Sequence, residues 1–193
     1  MQAFSPRYDA ALAFAARAHR NQLRKGSDLP YFAHPVHVSI ILIRHGFGED
    51  LTIAGLLHDV VEDTDTPLQA IAAEFGDDVA RLVEAVSETK SVDGAELPWE
   101  QRKAEKLAHL RSGGPDVAAL KAADAIHNVR SIVADLRNAG PSVWDRFKRG
   151  PTPTLGYYHA ILDGVHAKLG GHAIVAELEQ AVAELERMAG AAA

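Results

Sequence analysis

Four ionisable side chains inside an apolar helical pattern restrict most strongly how this chain can fold. In the stretch 56–64 these residues are His58, Asp59, Glu62 and Asp63. If the segment is helical, His58 and Glu62 are four residues apart, as are Asp59 and Asp63, so all four share one patch. Three desolvated acidic groups repel one another unless a cation lies among them. The pattern therefore indicates a divalent metal site, provided that other segments supply further ligands.

The composition favours a helical domain. The 193 residues are enough for one well-filled domain, and hydrophobic residues make up 47% of them while aromatic residues make up only 6%. Abundant alanine with few aromatic residues is typical of closely packed helices. We predict an all-α, single-domain bundle of about eight to ten helices spanning residues 1–193, with its core at 5–170 and a C-terminal helix at 172–189. Residues 91–98 show no apolar period and predict a loop.

Charge and cysteine content exclude several classes of function. The chain contains no cysteine, so it has neither disulfides nor thiolate metal sites, and any metal must be held by imidazole and carboxylate. A formal net charge of −6 argues against a non-specific nucleic-acid binder. The longest apolar run, 38–43, is far too short to cross a bilayer, and the N-terminus lacks a signal-peptide core. We expect a cytoplasmic protein without nucleic-acid or membrane partners, and homo-oligomerisation is left open.

Two other predicted helices contain ionisable residues that can complete a metal site. His34 lies at the entrance of one helix, where a histidine is more often a capping or core residue than a ligand. Asp124 and Asn128 lie one turn apart in a long, otherwise apolar helix. The alternative for this second polar patch is purely structural, because Lys121, Asp124 and Asn128 can form a hydrogen-bond cluster that specifies packing.

The first predicted helix ends in a basic edge. Arg17, Arg20 and Arg24 recur at helical spacing, and Lys25 follows directly. Solvated arginines near a helix C-terminus, where the helix dipole favours them, are one interpretation of this edge. A phosphate-binding rim is the other.

The order H…HD…D formed by His34, His58, Asp59 and Asp124 resembles the HD phosphohydrolase superfamily. The strings YFAHPVHVS, LLHDVVEDT, FGDDVARLVEAVSETK and LKAADAIHNVRS, with WDRFKRGPTPTLGYY near the end, are similar to the hydrolase domain of the RelA/SpoT alarmone enzymes. The similarity covers roughly residues 8–169. No segment resembles the synthetase, TGS or ACT regions of long family members. The chain is therefore identified as a stand-alone small alarmone hydrolase similar to the metazoan SpoT homologues.

The resemblance implies a role for each matching residue. It assigns one divalent ion, for which Mn²⁺ suits two imidazoles and two carboxylates better than zinc or iron, to His34, His58, Asp59 and Asp124. It implies that two residues lie beside the attacking water, namely Glu62 and Asp63. It implies that four residues contact the nucleotide substrate, namely Arg24, Lys25, Asn128 and Lys148.

The implied activity is that of a guanosine-3′,5′-bis(diphosphate) 3′-diphosphatase. Such an enzyme removes the 3′-pyrophosphate of guanosine tetra- or pentaphosphate and releases GDP or GTP and pyrophosphate. Two alternatives stay open at this point. One is an HD phosphohydrolase that acts on a different nucleotide or 3′-phosphorylated nucleotide, for example (p)ppApp. The other is a regulatory domain that binds an alarmone without cleaving it.

The chain departs from the family pattern at two places. The loop between Arg24 and His34 is about one residue longer than in many relatives, which leaves open whether Arg24 or Lys25 stacks on the base. Ala125 stands where an arginine is common in the family run that contains Asp124. The replacement either loosens a structural ion pair or alters the choice of substrate.

Overall fold

A computed structural model describes residues 5–92, 95–147 and 149–190 of the chain. These residues form ten α-helices, a 3-10 helix and a two-stranded hairpin, which confirms the predicted all-α class. In chain order the elements are α1 (Pro6–Ala18), α2 (Ala33–Arg44), α3 (Glu49–Leu57), α4 (Val60–Asp63), α5 (Leu68–Phe75), α6 (Asp77–Val86), β1 (Ser91–Val92), β2 (Ala95–Glu96), α7 (Trp99–Ser112), α8 (Pro115–Ala139), the 3-10 helix (Gly140–Arg146), α9 (Pro151–Leu169) and α10 (Ala173–Gly190).

The helices α3 and α8 form the centre of the bundle. Every residue of α3 from 51 to 57 is buried, and α8 is buried along most of its length. Around α8 pack α2, α3, α6, α7, α9 and α10. A polar side chain on either central helix therefore needs a partner within the protein or a bound ligand, because water cannot reach it freely. His58, directly after α3, and Asp124 on α8 meet in this centre, with 3.8 Å between Nε2 and Oδ1.

The stretch 56–64 is not one continuous helix, contrary to the sequence-based expectation. Helix α3 ends at Leu57, and His58 and Asp59 form a turn before α4 begins at Val60. Two side-chain contacts hold this turn. His58 Nδ1 bonds back to the carbonyl of Gly55 at 2.9 Å, and Asp59 accepts a hydrogen bond from Tyr31 at 2.6 Å. Both contacts depend on tertiary structure or side-chain geometry, which an apolar repeat does not encode.

The segment predicted as a loop at 91–98 contains a short antiparallel hairpin. Ser91 pairs with Glu96, and Val92 pairs with Ala95. The hairpin leads directly into α7, whose first residue is Trp99.

The C-terminal helix α10 packs against α8 and α9. Glu177 on α10 accepts hydrogen bonds from Arg130 of α8 at 2.6 Å and lies 2.5 Å from Nε2 of His45 at the end of α2. This ion-paired cluster joins α2, α8 and α10. Among the described residues, none of the helices combines the length and the apolarity that crossing a bilayer requires.

Candidate active site

His58 is oriented by the last turn of α3, which directly precedes it. Its Nδ1 bonds to the carbonyl of Gly55 at 2.9 Å, so this nitrogen carries the proton in the neutral ring. Its Nε2 is buried and makes no hydrogen bond of acceptable geometry with the described residues, although Oδ2 of Asp59 lies 3.1 Å away. A buried nitrogen lone pair without a partner is costly, and a metal ion would satisfy it.

His34 and Asp59 complete a buried cluster around this nitrogen. Single ligand atoms from His34, His58 and Asp59 all lie within 4.8 Å of one another. Oδ2 of Asp59 is 3.1 Å from Nε2 of His58 and 3.3 Å from Nε2 of His34. His34 is 1% exposed and Asp59 is 9% exposed, so bulk water screens these groups poorly. The donor set fits a divalent cation held by imidazole and carboxylate.

Asp124 approaches the cluster from α8. Its Oδ1 lies 3.3 Å from Nε2 of His34 and 3.8 Å from Nε2 of His58. The same carboxylate accepts hydrogen bonds from Lys121 at 2.8 Å and Asn128 at 2.5 Å. The hydrogen-bond cluster of Lys121, Asp124 and Asn128, which was the structural alternative, is therefore present. It lies directly beside His34 and His58. The structure thus brings together all four residues that the sequence indicated as metal ligands.

The carboxylates of the cluster are ionised. Burial works to raise the pKa of Asp59, but His58 and His34 hold it well below its ordinary value. Burial opposes ionisation of Asp124 too, while Lys121 and the two histidines hold its pKa well below the ordinary value. Burial tends to lower the pKa of His58, yet Asp59 and Asp124 raise it to about 9. The negative field that favours a proton on His58 also attracts a divalent cation.

The sequence analysis did not predict that the ring of His127 packs against His34. Nδ1 of His34 lies 2.7 Å from Nδ1 of His127, and the ring of His127 stacks on that of His37 with centroids 4.7 Å apart. Burial, with the nearby His34, Arg24 and His37, lowers the pKa of His127 to about 3, so this ring is neutral. A neutral His127 can accept the Nδ1 proton of His34, which leaves Nε2 of His34 free to bind a cation. The feature of the sequence that could have pointed to His127 is its position three residues after Asp124, on the same face of the helix.

Glu62 and Asp63, the predicted water-handling pair, lie differently relative to the candidate metal cluster. Glu62 lines the same cavity as His34, Asp59 and Asp124. Its Oε2 accepts hydrogen bonds from the backbone N–H of Glu88 and from Lys106, each at 3.0 Å. Asp63 is absent from the lining of that cavity; it lines a cleft near the end of α1, which Glu62 also borders, and it pairs with Lys90.

We call the space beside the cluster the metal cavity; its volume is about 280 Å³. Its lining contains groups that the sequence analysis did not assign to the site. These are the lysines Lys103, Lys106 and Lys121 and the aromatic residues Tyr31, Trp99, Phe147, Tyr157 and Tyr158. The signal available for Lys103 and Lys106 was their spacing of three on a charged helix. Such spacing does not tell a cavity-facing lysine from a solvated one.

The predicted substrate residues line a neighbouring space of about 390 Å³, which we call the Arg24 cavity. Arg24, Lys25 and Asn128 all contribute to its walls. The guanidinium of Arg24 lies 5.7 Å from the ring centroid of Tyr31 and donates to Asn128 at 3.4 Å. Lys148, the fourth predicted substrate residue, lies outside the described residues.

Ala125, where the family commonly has arginine, is 1% exposed and lines the metal cavity. A methyl group there leaves space that a longer side chain would fill. The departure from the family pattern therefore lies at the wall of the site.

Comparison with known proteins agrees with this geometry. The family model described as HD domain matches residues 11–149. The guanosine-3′,5′-bis(diphosphate) 3′-pyrophosphohydrolase MESH1 of Mus musculus is 37% identical over 141 residues, which are 72% of this chain and 74% of the relative. This chain belongs to the HD domain family. The family implies a divalent metal, and the described residues contain a cluster, His34, His58 and Asp59, that could hold one.

Solved structures of similar proteins share the HD-domain fold of this chain. One is described as a metazoan ortholog of SpoT that hydrolyses ppGpp and plays a role in starvation responses. It covers 98% of this chain and 99% of its own, with a TM-score of 0.78 and 29% identity. A protein from Listeria monocytogenes EGD-e covers 82% of this chain and 99% of its own, with a TM-score of 0.71 and 36% identity. The resemblance to the RelA/SpoT hydrolases is confirmed.

Proposed function

We propose that this chain hydrolyses the 3′-pyrophosphate of guanosine tetra- and pentaphosphate and releases GDP or GTP and pyrophosphate. One observation carries the proposal. The buried cluster of His34, His58 and Asp59 opens on the same cavity as Glu62 and three lysines, as a metal-assisted hydrolysis of a phosphate ester requires. The names of the similar proteins supply the substrate class.

His34, His58, Asp59 and Asp124 would hold the ion, and we propose Mn²⁺ because mixed imidazole and carboxylate ligands suit it. A divalent ion there supplies Lewis acidity, which lowers the pKa of water and stabilises charge on a phosphoryl oxygen. The orphaned Nε2 of His58 and the ionised Asp59 and Asp124 support this assignment.

Glu62 is the proposed acceptor of the proton from the attacking water. Lys106 and the backbone N–H of Glu88 both bind its Oε2, so the carboxylate is held in one orientation. Its Oε1 accepts no hydrogen bond from the described residues, and Lys90 approaches it only to 3.7 Å. A fixed carboxylate with one free oxygen is suited to general base catalysis. Asp63 would hold Lys90 beside this group.

Three lysines of the metal cavity would stabilise the charge of the pyrophosphate. Lys106 is buried between Glu62 and Glu88, whose charges raise its pKa although burial opposes this. Burial likewise opposes the charge of Lys121, but Asp124 raises its pKa. Lys103 lies 5.2 Å from the ring centroid of Tyr157 on the same wall. Cations fixed in a desolvated cavity stabilise phosphate charge more strongly than cations in water.

The Arg24 cavity is the proposed site of the guanine base. Its lining combines apolar atoms of Leu29 and Ile132 with the planar guanidinium of Arg24. Arginine stacks on planar rings, which makes Arg24 the better candidate of the pair Arg24 and Lys25 for stacking on the base. Asn128 borders both this cavity and the metal cavity, so it can contact the nucleoside between them.

Incubation of the purified chain with Mn²⁺ and guanosine tetraphosphate tests the function. Anion-exchange chromatography should then separate GDP and pyrophosphate as products, and a chelator should stop their formation. Asp59→Asn should abolish turnover and weaken Mn²⁺ binding, because it removes a ligand carboxylate. Asp116→Asn, an exposed change at the start of α8, is the matched control. Absence of product, or full activity in Asp59→Asn, would contradict the proposal.

A further inference from the structure

Tyr31 borders both halves of the site, although the proposed metal ligands and substrate contacts do not include it. Its side chain lines the metal cavity and the Arg24 cavity. Its hydroxyl lies 2.6 Å from Oδ2 of Asp59. An ionised carboxylate can only accept a hydrogen bond, so the phenol is the donor. The phenol is therefore bound directly to a proposed metal ligand.

The oxygen that Tyr31 binds is also the one that faces the histidines. Oδ2 of Asp59 is 3.3 Å from Nε2 of His34 and 3.1 Å from Nε2 of His58. A carboxylate oxygen has about two lone-pair sites. The phenol occupies one of them, so the other remains for a cation beside the two imidazoles. A hydrogen bond to an ionised group is strong, which restricts the rotation of the carboxylate.

The backbone fixes where the phenol lies. The backbone N–H of Tyr31 donates to the carbonyl of Gln22 at 2.8 Å. Next to this bond, Leu23 and Pro30 form an antiparallel bridge. The segment 22–31 is therefore a closed loop, and its end places Tyr31 directly before α2.

Three neighbours hold the ring of Tyr31. Its centroid is 5.1 Å from that of His19 and 5.7 Å from that of His34, and the guanidinium of Arg24 lies 5.7 Å from it. His19 is 1% exposed, so the ring rests on a buried side chain. A ring packed on several sides has little freedom to rotate, which keeps its hydroxyl at Asp59.

We propose that Tyr31 is a positioning residue of the metal site. Its hydroxyl holds Oδ2 of Asp59 toward Nε2 of His34 and Nε2 of His58, so that the three ligands are preorganised for a divalent cation. The inference rests on the metal site of the proposed function, because that site makes Asp59 a ligand. Tyr31 acts through Asp59 and is not itself a ligand.

Tyr31→Phe removes the hydroxyl and keeps the ring. Calorimetric titration of the metal-free variant with Mn²⁺ should give a Kd about 10- to 100-fold above that of the unmodified chain. Electron paramagnetic resonance should show the same loss as a larger fraction of free Mn²⁺. The melting temperature of the metal-free variant should stay within about 5 °C of the unmodified value, because one hydrogen bond contributes little to the fold.

Steady-state kinetics separate the hydroxyl from the ring. At saturating Mn²⁺, Tyr31→Phe should keep its KM for guanosine tetraphosphate within about twofold, because the ring still supports Arg24. Tyr31→Leu removes the ring as well, so it should raise this KM about 2- to 5-fold and also lose Mn²⁺ affinity. Phenylalanine should thus rescue the KM without rescuing the Mn²⁺ affinity.

Tyr8→Phe is the matched control. It removes a hydroxyl that lies 2.8 Å from Oγ of Ser39. Tyr8 lines neither the metal cavity nor the Arg24 cavity. Its Kd for Mn²⁺ and its KM should match those of the unmodified chain within about twofold.

The outcomes distinguish the inference from the proposed function. An unchanged Kd for Mn²⁺ in Tyr31→Phe would overturn the inference, and a lowered melting temperature with it would assign the hydroxyl to the fold alone. An equal loss of Mn²⁺ affinity in Tyr8→Phe would overturn it too. Mn²⁺ binding that depends on the Tyr31 hydroxyl, without turnover of guanosine tetraphosphate, would reject the function and support the inference. Absence of Mn²⁺ binding by the unmodified chain would reject both.

Discussion

At the scale of single residues, the site is defined by which atom of each side chain is already engaged. His58 uses Nδ1 on the carbonyl of Gly55, and His34 uses Nδ1 on His127. In both rings Nε2 is the atom left facing the carboxylates of Asp59 and Asp124. The backbone and a neighbouring ring therefore select the nitrogen that can bind a cation.

Glu62→Gln should lower kcat by about 10²- to 10⁴-fold while Mn²⁺ binding is retained, because the amide cannot accept the proton but leaves the metal ligands in place. Kinetics together with isothermal titration calorimetry of Mn²⁺ separate these two effects. The neighbouring change Asp63→Asn is the matched control, since Asp63 does not line the metal cavity. We expect it to lower kcat by less than about 10-fold. A larger loss in Asp63→Asn than in Glu62→Gln would transfer the proton-accepting role to Asp63.

At the scale of elements, the site depends on how closely α2 and α3 approach each other. Gly55 lies where they cross. A Cβ added there would be 2.8 Å from Cδ1 of Leu42 and 3.2 Å from the backbone Cα of Ser39. Because α2 carries His34 and α3 leads into His58, this close contact sets the distance between the two histidines.

Gly55→Ala should therefore destabilise the fold by about 1–3 kcal/mol, because the backbone of α2 must move to admit the methyl group. It should also weaken Mn²⁺ binding by separating the histidines. Urea unfolding and metal titration measure the two effects. Gly156→Ala is the control, since this exposed position on α9 has open space around it and alanine favours a helix. Equal stability of Gly55→Ala and the unmodified chain would show that the crossing tolerates a side chain.

A second link between elements is the buried carboxylate of Glu88, which follows α6. It accepts hydrogen bonds from Arg102 at 2.5 Å and Lys103 at 2.8 Å, and Lys106 lies 3.3 Å away. Burial alone would raise its pKa, but the charge of Lys106 and the contacts with Lys103 and Arg102 lower the pKa of Glu88 to about 2. The carboxylate thus fixes α7, and with it two lysines of the metal cavity, against α6.

This depressed pKa predicts an acid-dependent loss of stability. Because the folded state holds Glu88 ionised, its contribution is fully present above the unfolded pKa of about 4.5 and is lost as the pH falls toward 2. We expect about 2–3 kcal/mol of the free energy of unfolding to disappear across this window. Glu88→Gln should be less stable at pH 7 but should lose less on acidification, as measured by urea unfolding at a series of pH values. Glu84→Gln, an exposed change on α6, should keep the full pH dependence. An unaltered pH dependence in Glu88→Gln would contradict this account.

At the scale of the whole molecule, α10 contributes to stability without lining the described cavities. Its inner face buries a set of apolar residues against α8 and α9, namely Ile174, Val175, Leu178, Ala181, Val182 and Leu185. None of them appears in the lining of the metal cavity or the Arg24 cavity. The stability of the fold and the chemistry of the site are therefore separable here.

Leu178→Ala should lower the free energy of unfolding by about 2–5 kcal/mol, because it leaves a cavity at a fully buried position. Well below its melting temperature, the variant should keep the kcat and KM of the unmodified chain. Thermal unfolding and steady-state kinetics on one preparation test both statements. Glu179→Ala, exposed on the same helix, should change stability by less than about 0.5 kcal/mol. A raised KM in a fully folded Leu178→Ala variant would mean that α10 shapes the site.

The sequence alone was sufficient for the all-α class and for the residues at the centre of the site. His58, Asp59 and Asp124 stood out because ionisable side chains in apolar helical patterns are costly unless a partner or ligand is present. The family strings around them then indicated the reaction. Both signals are local, since each can be recognised from the types and spacing of neighbouring residues.

Only the tertiary structure decided which of the other charged residues belong to the site. Lys103 and Lys106 lie in a helix whose charge pattern is the same whether it faces a cavity or water, and the fold turns them toward Glu62. The break at His58 and Asp59 separates these two residues from Glu62 and Asp63 on α4, although a continuous helix would have kept all four on one patch. Phe147 lines both the metal cavity and the Arg24 cavity, which are built from segments distant in sequence. Spacing along a chain encodes neighbours on one helix, whereas the packing of helices determines which of their faces meet.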